Sequence, residues 1–351
     1  MNDPGVALGI ATTGVVVLLC PALALFFGGL PSRRDAIWLA ATGVVAVLLG
    51  AGEWMLLGQL PVVALFQGSL AAAAVLTIGS VGFRAGHHRS TVVLLGGWLV
   101  VVVVPLGFAL FDIERGPLAA GIGTLDFAGA CALGVIPGTA AVAVAIIHRL
   151  AGQSVPGLPH RSAWLLVCCG VAGILGFVAV GVGAELVIDE TTLRVLGNAG
   201  LAAGGGAIGW VGAQVANIHR ANAAGVVAGL LAGSVVVLPA SPWLQPVAVV
   251  VLAVIASILG HITTIALRSR AVTEAWSSLV GILLVPASIG MIGAGVVAAG
   301  PGLLYSGHTD LAESQLQGLG IVLVASFGAM LTLGAIVHLI GRAWRVRASR
   351  Q

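Results

Sequence analysis

Long apolar runs recur along this chain, and they constrain its fold more than any other feature of the sequence. A helix of about 20 apolar residues spans the hydrocarbon core of a bilayer, which is about 30 Å thick. Because the bilayer core offers no water to unpaired backbone groups, such runs must form helices or a closed barrel. The length of the runs favours helices. The sequence therefore predicts an all-α integral membrane protein.

Eleven runs are long and apolar enough to be counted as transmembrane helices. Glycine and proline interrupt several of them, which membrane helices tolerate when their neighbours satisfy the freed backbone groups. The 52 glycines also indicate close packing, since small residues let membrane helices approach one another. The predicted spans are 6–30, 36–57, 60–82, 91–111, 125–148, 163–186, 194–216, 223–240, 245–267, 277–298 and 316–341.

The basic residues predict the orientation of these spans. The chain has 15 of them, all arginines, and they lie singly or in pairs between the apolar runs. With the N-terminus placed outside, all except Arg115 and Arg194 fall on the inner side, as the positive-inside rule requires. We therefore predict a cell (plasma) membrane protein with an external N-terminus and a cytoplasmic C-terminus. Scattered arginines form no basic patch, so the expected surroundings are the lipid bilayer and no nucleic acid.

Motifs of enzymatic or metal chemistry are not found in the sequence. There is no HExxH, GxSxG or P-loop pattern, and no span contains two carboxylates at i, i+3 or i+4 spacing. The four cysteines fall inside apolar runs, where packing as small hydrophobes is favoured over disulfides or metal ligands. We expect no enzyme, no metal site and no cofactor.

Two of the predicted spans echo each other. The fifth contains GVIPGTAAV and the tenth contains LLVPASIGM, each with one proline in the middle of the span. Helices separated by five spans face opposite ways across the membrane, which is the arrangement of an inverted repeat. The pattern predicts inverted halves made of spans 1–5 and 6–10, with any pathway between them.

Four motifs resemble the ammonium transporter/Rhesus family. They are CPALALFFGGLPSRR at 20–34, FQGSLAA at 66–72, LDFAG at 125–129 and NAAGVVAGLLAGSVVVLPAS at 222–241. The resemblance implies eleven spans in an inverted 5+5 repeat plus a peripheral eleventh span, and a homotrimer with one apolar pore in each subunit. The chain then divides into a single transmembrane domain, 1–341, and a short basic cytosolic tail, 342–351.

The resemblance also implies a substrate pathway, and several of its positions depart from the family pattern. Phe66 and Gln67 match, but the family's second gate aromatic is replaced by Leu70. Two tryptophans of the family pattern are replaced by Glu114 and Phe177. Glu114 is either a cation-attracting carboxylate or, as is more usual for a loop acid, simply a solvated one.

Asp126 matches the aspartate of the LDFAG motif, and two roles are open for it. It could stabilise a nearby cation indirectly. Alternatively it caps the fifth span, because a carboxylate in the first turn accepts bonds from unpaired N–H groups at the positive end of the helix dipole. We favour the capping role.

The family's paired pore histidines are absent at the corresponding positions. They fall on Gly134 in the fifth span and on Leu283 in the tenth, each three residues before a proline. His261 and His338 lie in other spans and are interpreted as packing residues. A pathway with Gly134 and Leu283 at its centre offers nothing to stabilise a desolvated charge.

The function implied by the resemblance is membrane transport. We predict that an apolar pore in each subunit conducts ammonium/ammonia or another small neutral solute. The alternative is a pore-inactive member of the family that serves as a sensor, a subunit or an interaction scaffold.

Overall fold

The computed structural model describes residues 4–84, 88–152, 162–185, 187–270 and 272–348, and every regular element within these ranges is helical. The α-helices are α1 (Pro4–Val16), α2 (Leu19–Gly28), α3 (Arg33–Leu56), α4 (Pro61–Arg84), α5 (His88–Trp98), α6 (Val104–Phe111), α7 (Ile136–Leu150), α8 (Ala163–Glu185), α9 (Glu190–Ile218), α10 (Ala223–Val236), α11 (Pro246–Arg268), α12 (Glu274–Leu279), α13 (Val285–Val297), α14 (Leu303–Ser306) and α15 (Asp310–Ala348).

Four π-helical segments and one short 3₁₀ turn lie between them. The π-helical segments are Leu99–Val103, Pro117–Ile122, Cys131–Val135 and Val280–Leu284, and the 3₁₀ turn is Ser241–Trp243. Leu99–Val103 joins α5 to α6, Cys131–Val135 leads directly into α7, and Val280–Leu284 joins α12 to α13. Three continuous helical rods result, which are His88–Phe111, Cys131–Leu150 and Glu274–Val297.

Nine helices in the described part of the chain are long and apolar enough to cross a membrane, which agrees with an integral membrane bundle. The predicted spans 194–216 and 223–240 also fall on helices, α9 and α10, but these two are not among the nine. α9 is rich in glycine and carries the buried polar residues Asn198 and Gln214, whereas α10 has only 14 residues. Length and hydropathy in the described residues therefore do not confirm the predicted number of eleven spans.

Polar side chains begin several helices at the positions where the apolar runs start. The Ser32 hydroxyl accepts a hydrogen bond from the Asp35 N–H at the start of α3. Asn222 accepts one from the Gly225 N–H at 2.7 Å at the start of α10. Each bond satisfies one of the donors that a helix start leaves unpaired.

α4 forms the centre of the first half of the chain. Every residue from Phe66 to Val81 is buried, although the segment carries few large side chains. Small residues let α3 pack directly on it: a Cβ at Gly68 would lie 2.6 Å from the Val47 carbonyl oxygen. Contact at backbone distance is how membrane helices associate when lipid competes for every apolar side chain.

α15 is attached to the outside of this bundle by buried hydroxyl groups. The Thr139 hydroxyl of α7 donates to the Ser326 hydroxyl of α15 at 2.8 Å, and Ser326 also donates to the Ile136 carbonyl at 3.2 Å. α15 continues to Ala348, beyond the predicted boundary at residue 341, because nothing in this segment breaks a helix. Residues 349–351 of the predicted tail lie outside the described ranges.

Candidate functional site

A cavity of about 710 Å³ lies where α4 begins and where α6 and α8 end. It brings together four residues of the predicted pathway, which are Phe66, Gln67, Glu114 and Asp126. Three further aromatic residues, Phe111, Phe127 and Trp243, also line this outer cavity. The wall is thus partly aromatic, with carboxylates and amides set into it.

Asp126 is buried in the wall of the outer cavity, and its carboxylate is engaged by the backbone. One oxygen accepts a hydrogen bond from the Ala130 N–H at 2.7 Å, and the other accepts from the Cys131 N–H at 2.9 Å. These donors stand at the start of the rod Cys131–Leu150, where N–H groups have no partner within the helix. This is the geometry that a capping role requires.

Gln315 of α15 holds the segment that carries Asp126. Its side-chain oxygen accepts from the Leu125 N–H at 2.8 Å, and its amide nitrogen donates to the Leu125 carbonyl at 2.8 Å and the Met291 carbonyl at 3.2 Å. Gln315 is fully buried. A single side chain therefore joins α15, α13 and the wall of the outer cavity.

An ion pair forms the rim of the outer cavity. The Arg115 guanidinium donates to Asp112 at 2.8 and 3.1 Å, and the Gln59 amide donates to the same carboxylate oxygen at 3.0 Å. The other oxygen accepts from the N–H groups of Glu114 and Arg115. Burial alone would raise the pKa of Asp112, but these hydrogen bonds and the Arg115 charge outweigh it and lower the pKa below its ordinary value.

This lowered pKa makes a prediction about stability. We expect the contribution of Asp112 to be present above about pH 4, the pKa of an unfolded aspartate, and to be lost as the pH falls through its lower folded-state pKa. The difference in unfolding temperature between the wild type and Asp112→Asn should hold from pH 7 to about pH 4 and shrink below it. The exposed Glu114→Gln variant is the control. A difference that widens on acidification would contradict the role of the ion pair.

The other pathway residues in the outer cavity differ in exposure. Glu114 is exposed, whereas the side chains of Phe66 and Gln67 are buried at the inner limit of the wall. The Phe66 ring packs so closely on Gly183 that a Cβ there would collide with it. The residues predicted deeper in the pathway, Leu70 and Phe177, are buried and do not line the outer cavity.

Gly134 and Leu283 lie together at the crossing of two π-helical segments, Cys131–Val135 and Val280–Leu284. A Cβ at Gly134 would collide with the Cβ of Ala287 and would lie 2.9 Å from the Leu283 carbonyl oxygen. Leu283 itself is fully buried. The two segments therefore touch at backbone distance, and the position where the family resemblance places a histidine has no room for a side chain.

The two π-helical segments at this crossing have the same local sequence feature. Each π-helical segment is followed by a proline near the start of the next helix, Pro137 in α7 and Pro286 in α13. π-Helical turns are rare and are frequent at functional sites. Both occur at the positions where the sequence resemblance places the centre of the pathway.

Comparison with known proteins decides the family. The family model described as the Ammonium Transporter Family matches residues 58–351, which is most of the chain. The chain belongs to the Ammonium Transporter Family. It is therefore a membrane transport protein, and its family is one of transporters and not of enzymes.

Relatives of this family are similar over the whole chain. Ammonium transporter Amt1 of Archaeoglobus fulgidus is 23% identical, over 100% of this chain and 96% of its own length. The crystal structure of Mep2 from Candida albicans has a TM-score of 0.82 at 18% identity and covers 95% of this chain and 83% of its own. A structure described as a sensor Amt protein has a TM-score of 0.80 at 18% identity, over 96% of this chain and 94% of its own. The fold of the ammonium transporter family is thereby established for this chain.

Sequence reasoning overlooked the residues that support the site of this family member. Gln315 carried a usable signal, because it stands directly before the predicted span 316–341, where a polar side chain that faces the bundle must find partners. The rim formed by Gln59, Asp112 and Arg115 carried a weaker signal. Gln59 and Asp112 are 53 residues apart in the sequence and come together only in the fold.

Proposed function

We propose that this chain carries ammonia, or another neutral solute of similar size, across the membrane in each subunit. The path runs from Phe66, Gln67, Glu114 and Asp126 in the outer cavity, past Leu70 and Phe177, to the contact of Gly134 with Leu283. The names of the similar proteins, ammonium transporters among them, support the substrate class. The absence of any polar side chain at Gly134 and Leu283 supports the neutral form, and this observation carries the proposal.

The physical reason is the cost of a bare cation at such a centre. An ion in a low-dielectric interior is stable only when charged or polar groups replace its water. The Asp126 carboxylate is already bonded to two backbone N–H groups, and Asp112 is paired with Arg115. A neutral solute loses only its hydrogen bonds to water and can cross when thermal motion separates the two segments.

A second function has its own supporting observation. The contacts of Gly134 with Ala287 and of Gly138 with Leu284 leave no room for a Cβ at either glycine. A chain that keeps these contacts closed would serve as a sensor or scaffold without conducting. We rank it second because contact between two proline-containing helices can open.

Flux through proteoliposomes separates these functions. We expect ammonia to raise the internal pH faster than in empty liposomes, without any membrane current. Leu283→Ala removes a side chain buried at the contact and should increase this flux, whereas Leu339→Ala, at a 63% exposed position of α15, should leave it unchanged. A current carried by ammonium would overturn the neutral form. Absence of flux in both the wild type and Leu283→Ala would favour the sensor or scaffold.

We further propose the finer architecture that the family resemblance implies. α9 and α10 complete eleven spans, spans 1–5 and 6–10 form inverted halves, and the N-terminus lies outside. The matching π-helical segments before Pro137 and Pro286 support the inverted halves. We also propose a homotrimer, which native mass spectrometry of the detergent-solubilised chain would test directly.

A further inference from the structure

A second cavity, of about 220 Å³, lies on the side of the bundle between α3 and α5. Val75 of α4 lies behind it, and the rest of its wall is aliphatic apart from one tryptophan and one threonine. Val45 and Leu49 in this wall are 51% and 43% exposed, so the groove is open towards the surrounding lipid. The residues lining this lateral groove are Trp38, Ala41, Thr42, Val45, Ala46, Leu49, Val75, Val92, Leu95, Gly96 and Leu99.

The groove runs along the helices and has the length of one lipid leaflet. Its residues repeat at helical spacing on one face of α3, from Trp38 to Leu49. At 1.5 Å per residue this face is roughly 16 Å long, about half of the hydrocarbon core. An acyl chain of one leaflet therefore matches the groove from the membrane surface to the bilayer centre.

One end of the groove is built by a side-chain hydrogen bond between α3 and α5. His88 Nε2 lies 2.6 Å from the Asp35 carboxylate, and both groups are largely buried. The His88 ring stacks on Phe83 with centroids 5.8 Å apart, and lies 6.0 Å from the ring of Trp38, which lines the groove. This cluster fixes the two helix starts beside each other.

Positive charge surrounds that end. Arg33 and Arg34 begin α3, and Arg89 follows His88 at the start of α5, all three exposed. Both helices also direct their N-terminal ends to this point, and helix N-termini favour anions. Arginines at the membrane surface attract acidic lipid headgroups.

We propose that the lateral groove holds one acyl chain of an anionic phospholipid, whose phosphate lies among Arg33, Arg34 and Arg89. The small volume of the groove, about 220 Å³, favours a lipid chain over a second protein. A helix is about 10–12 Å across with its side chains and needs a broad face, whereas a single acyl chain fits a narrow apolar slot.

Gly96 offers a way to fill the groove without disturbing the fold. It lines the groove, and a Cβ added there meets no atom within 4 Å. Gly96→Leu therefore places a side chain in the space of the acyl chain while the neighbouring helices keep their packing. Gly328→Leu is the matched control, because a Cβ at that position of α15 also meets no atom within 4 Å.

Native mass spectrometry of the full chain in detergent tests the proposal, with phosphatidylglycerol and phosphatidylcholine of equal chain length as probes. We expect the wild type to bind its first phosphatidylglycerol more tightly than phosphatidylcholine. Gly96→Leu should weaken that first binding tenfold or more, and Gly328→Leu should not. Equal affinity for both lipids, or unchanged binding in Gly96→Leu, would overturn the proposal, as would a change in oligomeric state without a change in bound lipid.

The arginines are tested by neutralising them together. Each contributes about a fivefold factor near a charged surface, so Arg33→Gln, Arg34→Gln and Arg89→Gln combined should weaken phosphatidylglycerol binding roughly a hundredfold. Phosphatidylcholine binding should not change. The control combines Arg149→Gln, Arg220→Gln and Arg270→Gln, which remove the same charge at or near the ends of other helices. Equal losses in the two triple variants would show a diffuse charge effect and would contradict a headgroup site.

Discussion

Gly134→His is expected to destabilise the protein by roughly 3 kcal/mol or more, as overpacking of a close contact does. The new Cβ would collide with Ala287 and approach the Leu283 carbonyl to 2.9 Å, and the imidazole would add further volume. The backbone of Leu283 cannot move aside to relieve this clash as the end of a flexible side chain could. Gly134→Ala introduces only the Cβ and should cost about half as much.

The measurement is the unfolding temperature of the detergent-solubilised protein, followed by tryptophan fluorescence. Gly197→His is the matched control, because a Cβ at that exposed position of α9 meets no atom within 4 Å. The variant that combines Gly134→His with Leu283→His should be no more stable than Gly134→His, since the obstacle includes backbone. Wild-type stability in Gly134→His would show that the two π-helical segments are not in contact.

Asp126→Ala is expected to cost about 3 kcal/mol, because it leaves two buried N–H groups without an acceptor. The donors at Ala130 and Cys131 lie at the start of a helix, and both residues are fully buried. Asp126→Asn retains one oxygen and should cost about half of that.

Glu114→Ala provides the comparison for this series, since an exposed acid of the same cavity should change stability by less than about 0.5 kcal/mol. The order of unfolding temperatures should be wild type, then Asp126→Asn, then Asp126→Ala. Should Asp126→Ala keep the wild-type unfolding temperature while lowering solute flux, the capping role would be wrong and a direct role towards the solute would replace it.

The sequence predicted the features that depend on local pattern. Apolar runs located the helices. Gly134 and Leu283 each precede a proline, Pro137 or Pro286, by three residues, which marked them as equivalent positions in the two spans. The structure brings these two residues into contact. The sequence did not predict that the contact is made by π-helical segments, because an additional residue in a helical turn leaves no pattern in hydropathy.

Residues that meet across the fold were equally hidden. Phe66, Gln67, Glu114 and Asp126 were found through motifs, and they do line one cavity. Gln315 lies 190 residues from Leu125, and no local rule joins the two. The prediction of eleven spans is not confirmed, since nine helices of the described residues are long and apolar enough to cross a membrane, and α9 and α10 are not among them.

The attachment of α15 has a mechanical consequence. Its apolar run, 316–341, has 26 residues, which corresponds to roughly 39 Å and exceeds the hydrocarbon core of about 30 Å. A helix longer than the bilayer responds by tilting. Gln315 joins α15 to the wall of the outer cavity, and Ser326 joins α15 to α7. A change in the tilt of α15 would therefore displace both the cavity wall and α7. We therefore expect the thickness of the surrounding membrane to affect the shape of the outer cavity.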